Sequence, residues 1–176
     1  MIMKETTVSS DLIYTGKSIQ LRVDTVEVPN KGYQKREIIE HKGAVAIVAM
    51  TEDNKIVLVK QYRKAIEKEL YELPAGKIEI GEDPLDCAMR ELKEETGYST
   101  DSLKLIYKYY PTPGFSNQMV FIYLAKNLIP GKNHLQEDEA LEVYEMDMQE
   151  VYNMVLNNEI CDSKTVIGLL LTKELL

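Results

Sequence analysis

Residues 76–98 read GKIEIGEDPLDCAMRELKEETGY, a loop running into a short helix. Asp83 suits the N-cap, Pro84 suits the first helical position, where its missing amide has no partner to lose, and Gly97 supplies a left-handed stop. The spacing therefore predicts a helix from about Pro84 to Thr96. On a wheel of 3.6 residues per turn, Glu91, Glu94 and Glu95 fall within about 100° of arc. Like charges three and four residues apart destabilise a helix by roughly 0.2–0.5 kcal/mol per pair, so three together make better physical sense with a cation over them. Hard carboxylate oxygens suit Mg2+, Mn2+ or Ca2+. Leu85, Ala88, Met89 and Leu92 follow the i, i+3, i+4, i+7 rule and are expected to face a sheet, with the carboxylates centred about 120° round from them on a separate side.

The bland account of such a run is a solvated helix face, which explains most charge clusters. A solvated face is usually mixed in sign, whereas here one sign is concentrated and Lys93 points elsewhere. Gly76, Glu82, Arg90, Glu91, Glu94, Glu95 and Gly97 also stand in register with the pattern G-x5-E-x7-R-E-U-x-E-E-x-G-U, with Leu92 and Tyr98 in the two bulky apolar positions. On these residues the chain resembles the Nudix hydrolases. Tyr98 is aromatic where an aliphatic is more usual. Arg90 is expected to hold Glu82 and fix the loop against the helix rather than to touch substrate.

The resemblance implies a mixed-sheet α/β/α sandwich and a reaction in which a divalent metal helps water cleave a diphosphate joined to another moiety. Glu91 and Glu95 are the leading metal ligands, Glu94 the third, and the backbone carbonyl of Ala75 a ligand implied by the family. A narrower resemblance, to the ADP-ribose pyrophosphatases, rests on Pro113, sixteen residues after Gly97 in Tyr110-Pro111-Thr112-Pro113-Gly114-Phe115-Ser116. It is supported by Lys35-Arg36-Glu37, Val59-Lys60-Gln61-Tyr62-Arg63 and Glu69-Leu70-Tyr71-Glu72-Leu73-Pro74-Ala75-Gly76. Arg36 and Arg63 are then candidate phosphate contacts, since guanidinium matches phosphate oxygens in bidentate geometry, although a surface cation is the default reading of each. Glu72 either contacts ribose or ends a strand, and Pro113 shapes its loop. The acidic run Gln136-Glu137-Asp138-Glu139 resembles the family's closing loop. There Glu137 is the preferred base and Glu139 an extra ligand, against the alternative of a solvated loop. The catalytic candidates are thus Glu137, Glu139, Glu94 and Arg90.

A chain of 176 residues with 44% hydrophobic and 28% charged residues is expected to form one principal domain with a substantial core. A net charge of −8 argues against a broad nucleic-acid surface, which needs Lys and Arg to neutralise phosphates. Cys87 and Cys161 form no C-x-x-C pair and are expected to be reduced thiols, Cys87 as a packing residue. His41 and His134 are too isolated for a zinc site. No apolar leader or spanning segment is evident, so a cytoplasmic enzyme with no membrane partner is expected.

Along the chain, Ile19–Val28 and Tyr33–Glu40 read as a hairpin around the Pro29-Asn30-Lys31-Gly32 turn. Gly43–Met50 and Ile56–Tyr62 begin the main sheet, Leu103–Tyr110, Met119–Ala125 and Ala140–Met146 continue it, and helices Met148–Leu156 and Lys164–Leu175 close the chain, the last capped by Asp162 or Ser163. Residues 1–40 are expected to be an added β segment and 41–176 the hydrolase domain. The full reading is an Mg2+-dependent enzyme, with Mn2+ as the alternative metal, that hydrolyses ADP-ribose to AMP and ribose 5-phosphate as a homodimer. Another nucleoside diphosphate sugar is the rival substrate, which a substrate panel would separate. A non-catalytic ADP-ribose sensor is the rival class. Loss of the helix glutamates would favour it, and none is lost.

Overall fold

The computed structural model describes residues 4–135 and 140–175. By their internal contacts they form two compact units, Met1–Lys42 with Tyr110–Met119, and Gly43–Tyr109 with Val120–Leu176.

The first unit is an antiparallel sheet of β1 (Thr6–Thr15), β2 (Gln20–Val28) and β3 (Gly32–Glu40). The expected hairpin is present as β2 and β3, with Val28 opposite Gly32. Asn30 and Gly32 meet the left-handed demand of the turn, at φ of 62° and 73°. β1 is not among the expected strands. Every one of its ten residues is exposed, so it has no buried face to impose an apolar alternation, and only its pairing with β2 reveals it. The proline-bearing loop belongs to this unit. Ile39 donates its N–H to the Phe115 carbonyl at 2.8 Å, and the Asn117 side chain caps the end of β3 by accepting from the His41 N–H at 2.8 Å.

The second unit is built on a seven-stranded mixed sheet. Its strands are β4 (Ala44–Met50), β5 (Lys55–Arg63), β6 (Lys68–Glu72), β7 (Ala75–Lys77), β8 (Ser102–Tyr109), β9 (Val120–Lys126) and β10 (Leu141–Asp147). The main order is β10-β5-β4-β9-β8, with β6 paired to β5 and β7 to β4. The β4–β9 pair is parallel and the others are antiparallel. β4 is buried on both faces, which is why its sequence is a continuous apolar run rather than an alternation. Val45, Ile47 and Ala49 join a core layer with Cys87, Ala88 and Leu92 of α1 (Pro84–Thr96). Ala46, Val48 and Met50 point the other way, into a layer with Val151 of α2 (Met148–Leu156) and Leu169 of α3 (Ser163–Leu175). The period of two along β4 thus separates the two helical layers of the sandwich.

α1 begins and ends as its local signals require. Asp83 accepts from the Leu85 N–H at 2.8 Å, and Gly97, at φ 79°, donates to the Lys93 carbonyl at 2.9 Å. The expected packing face is corrected. Ala88 and Leu92 are buried, but Leu85 and Met89 are 38% and 40% exposed, while Cys87, Glu91 and Glu95 are buried instead. At 100° per residue the packed face is turned about 80° toward the carboxylates from the one expected. Apolar spacing located a stripe, but the sheet selected a neighbouring one that carries two acids. α3 is capped by Asp162, whose carboxylate accepts from the Thr165 N–H at 3.0 Å and hydroxyl at 2.6 Å. Among the described residues no helix is long and apolar enough to cross a membrane.

Candidate active site

Strand β7 brings the Ala75-Gly76 backbone against the acidic side of α1. Ala75 donates its N–H to Glu95 Oε2 at 2.9 Å, and a Cβ on Gly76 would lie 1.9 Å from the Glu91 carboxyl. Gly76 is therefore required by close approach. Glu91 and Glu95 are 5% and 4% exposed, so two carboxylates sit in a region where unpaired charge is strongly disfavoured.

Arg90 fastens the cluster. Its Nε and Nη2 meet the two oxygens of Glu82 at 2.8 and 3.0 Å, while Nη1 reaches Glu91 at 2.7 Å and Glu94 at 3.2 Å. Glu82 in turn accepts the Glu79 N–H at 2.9 Å, which closes the loop onto the helix. Hydrogen bonding from Arg90 holds the Glu82 carboxyl down at about 2, and the same bond raises Arg90. Cys87 fits packing rather than nucleophilic chemistry, because burial and the neighbouring Glu82 push its thiol up to about 12.

The depressed carboxyl sets a pH window. The Glu82–Arg90 pair contributes stability that is full above the ordinary carboxyl value of 4.5 and is lost as pH falls toward about 2. In metal-free buffer the melting temperature should drop as pH is lowered through this range, and Arg90→Gln should flatten that part of the curve. Parallel curves for the two proteins would mean that the pair adds nothing to folding.

A second cluster lies at the end of β6. Glu72, 1% exposed, accepts a bidentate pair from Arg63, Nε at 2.6 Å and Nη2 at 2.7 Å, and a further bond from Lys164. Burial drives the Glu72 pKa up, but Arg63 and Lys164 outweigh it and the net shift is downward. Hydrogen bonding to Glu72 raises Arg63, which also feels the charges of Asp162 and Glu95. Lys164 carries no local signal in the sequence. It meets Glu72 from 92 residues away, and in sequence it looks like an ordinary first-turn helix residue.

The expected site residues are thus distributed. Ala75, Arg90, Glu91, Glu94 and Glu95 come together, and Arg63 and Glu72 form the adjoining pair. Arg36 and Pro113 lie in the first unit, where Arg36 makes a bidentate pair with Glu5 at 2.6 and 3.0 Å. Glu137 and Glu139 lie outside the described residues. Among the described residues no three His, Cys, Asp or Glu side chains are arranged as metal ligands, and three of the acids are turned to Arg90. The donor chemistry nonetheless fits a hard divalent cation: the donors are all oxygen, two carboxylates are buried, and a glycine lets them touch the loop backbone.

A NUDIX domain model matches residues 40–166. The chain belongs to the Nudix family. It is similar to the methanol dehydrogenase activator of Bacillus methanolicus and to the ADP-ribose pyrophosphatase of Bacillus subtilis (strain 168), each 43% identical over 95% of this chain and 91% of the relative. The ADP-ribose pyrophosphatase of Mycobacterium tuberculosis is 38% identical over 93% of this chain and 81% of its own. A solved ADP compounds hydrolase shares the fold, with a TM-score of 0.87 at 22% identity, covering 99% of this chain and 95% of that one. These matches give a place to the Gly76–Tyr98 signature and the two-layered packing around β4: both are features of a Nudix fold.

Proposed function

We propose that this Nudix hydrolase cleaves the diphosphate of ADP-ribose to give AMP and ribose 5-phosphate. The observation that carries the reading is the pair of buried acids, Glu91 and Glu95, pressed against Ala75-Gly76 with the Arg63 guanidinium in electrostatic reach. The two relatives named for ADP-ribose support the choice of substrate.

Glu91, Glu95, Glu94, the Ala75 carbonyl and Glu139 are the residues that would hold Mg2+, or Mn2+ in its place, which when bound neutralises diphosphate charge and acidifies water. Arg63 binds a phosphate oxygen pair with the N–H groups that Glu72 does not use, and Glu72 acts as its anchor. Glu137 takes the proton of the attacking water. Arg36 and Pro113 are assigned to substrate binding. The Glu5 partner of Arg36 is exposed, so exchange for a phosphate is cheap.

The deciding experiment is a panel of ADP-ribose, GDP-mannose and other nucleotide sugars assayed with Mg2+ and with Mn2+, with products identified. AMP and ribose 5-phosphate should be the products of the most efficient reaction. A higher kcat/KM for a different sugar nucleotide would move the assignment to it, and tight ADP-ribose binding without turnover would make the protein a sensor.

Residues 1–40 are assigned to dimerisation and a contribution to substrate binding, and 41–176 to the hydrolase domain, in a cytoplasmic homodimer. The support is β1, on which Val8, Leu12, Ile13 and Tyr14 are each between 57% and 60% exposed. Sedimentation should give twice the chain mass, and a fully active monomer would remove this assignment.

A further inference from the structure

Resting on the reading above, we propose that Lys164 is a positioning residue that keeps the Arg63 guanidinium available to the diphosphate. Arg63 stands among three acids: Glu72, which it binds directly, and Asp162 and Glu95, whose charges it feels. Lys164 bonds Asp162 Oδ2 at 2.9 Å and shares the Glu72 oxygen that Arg63 Nη2 contacts. Its side chain is only 15% exposed and Glu72 is buried, so solvent screens these charges weakly. The four groups Arg63, Glu72, Lys164 and Asp162 sum to zero charge.

Pairing alone does not require the second cation, because the bidentate Arg63 already neutralises Glu72. What Lys164 adds is competition. It occupies Asp162 and draws on Glu72, so Arg63 is left with one partly satisfied carboxylate and with N–H groups for a further anion. Without the ammonium, Asp162 and Glu72 would both pull on Arg63, and an incoming phosphate would have to displace them. The same first turn of α3 also holds the chain that leads to Ala75, since Thr165 Oγ1 accepts the buried Leu73 N–H at 2.9 Å. Lys164 thus sits beside the residue that joins α3 to this segment.

The test uses the full chain in EDTA, with the methylene-diphosphonate analogue of ADP-ribose as the calorimetric probe. Lys164→Met should weaken binding about tenfold, the size of one charge-assisted hydrogen bond, and Lys164→Arg should restore it. In an Arg63→Gln background the Lys164→Met change should have almost no effect, because Lys164 acts through Arg63. With Mg2+ the loss should fall on KM and leave kcat nearly unchanged. If Lys164→Met does not fold, Lys164→Gln, which keeps a donor and loses the charge, replaces it with the same expected loss. Unchanged affinity, or an equal loss in the Arg63→Gln background, overturns the proposal. Failure of the wild type to bind the analogue both in EDTA and with Mg2+ would count against ADP-ribose as substrate alone. The same comparison made with inorganic pyrophosphate would then decide the role of Lys164.

Discussion

Glu95→Gln is expected to lower kcat by about a thousandfold at saturating Mg2+, equivalent to about 4 kcal/mol of transition-state stabilisation. The substitution removes one negative charge with almost no change of shape. A glutamine oxygen can still accept the Ala75 N–H that Glu95 Oε2 now receives at 2.9 Å, so the loop should stay in place. Glu95 is 4% exposed, and a neutral side chain is less costly to bury there, so the melting temperature of the metal-free protein should not fall. Kinetics and thermal unfolding on the same preparations check both halves. Near-wild-type turnover would show that Glu95 has no part in the reaction, whatever its place in the fold.

Gly76→Ala should have the next largest effect, and by a steric route. The added Cβ would lie 1.9 Å from both Cδ and Oε1 of Glu91 and 2.5 Å from Oε2, far inside contact distance. Glu91 is buried and held by Arg90, so it cannot move aside freely. Either the carboxylate leaves its position or β7 shifts away from α1. Overpacking of this kind typically destabilises by about 1–3 kcal/mol, and displacement of a candidate metal ligand should lower kcat by about a hundredfold. The two variants differ in signature: Gly76→Ala should lose stability together with activity, Glu95→Gln activity alone. If Gly76→Ala were as active as the wild type, the position of the Glu91 carboxylate would not matter to turnover.

Much of this protein was decided locally. The bounds of α1 follow from Asp83, Pro84 and Gly97, because capping and the left-handed stop act over three or four residues and leave their marks in adjacent sequence. The β2–β3 hairpin follows from turn chemistry for the same reason. β4 and β5 are legible as apolar runs, and the pattern of residues from Gly76 to Tyr98 carries the resemblance to the Nudix hydrolases within the sequence itself.

Tertiary structure decided what depends on partners distant in sequence. Which stripe of α1 is buried was settled by the sheet, since Cys87, Glu91 and Glu95 compete with Leu85 and Met89 only once β4 and β7 are present. β1 exists through its ladder to β2, and β6 and β7 are short strands whose pairing with β5 and β4 carries them. The pairing of Glu72 with Lys164 spans 92 residues, and no local pattern distinguishes that lysine from an ordinary surface lysine. Chain entropy explains the division. Local contacts close short loops and leave a periodic trace in the sequence. A contact across half the chain is set by the packing of whole layers, and the individual residue carries no sign of it.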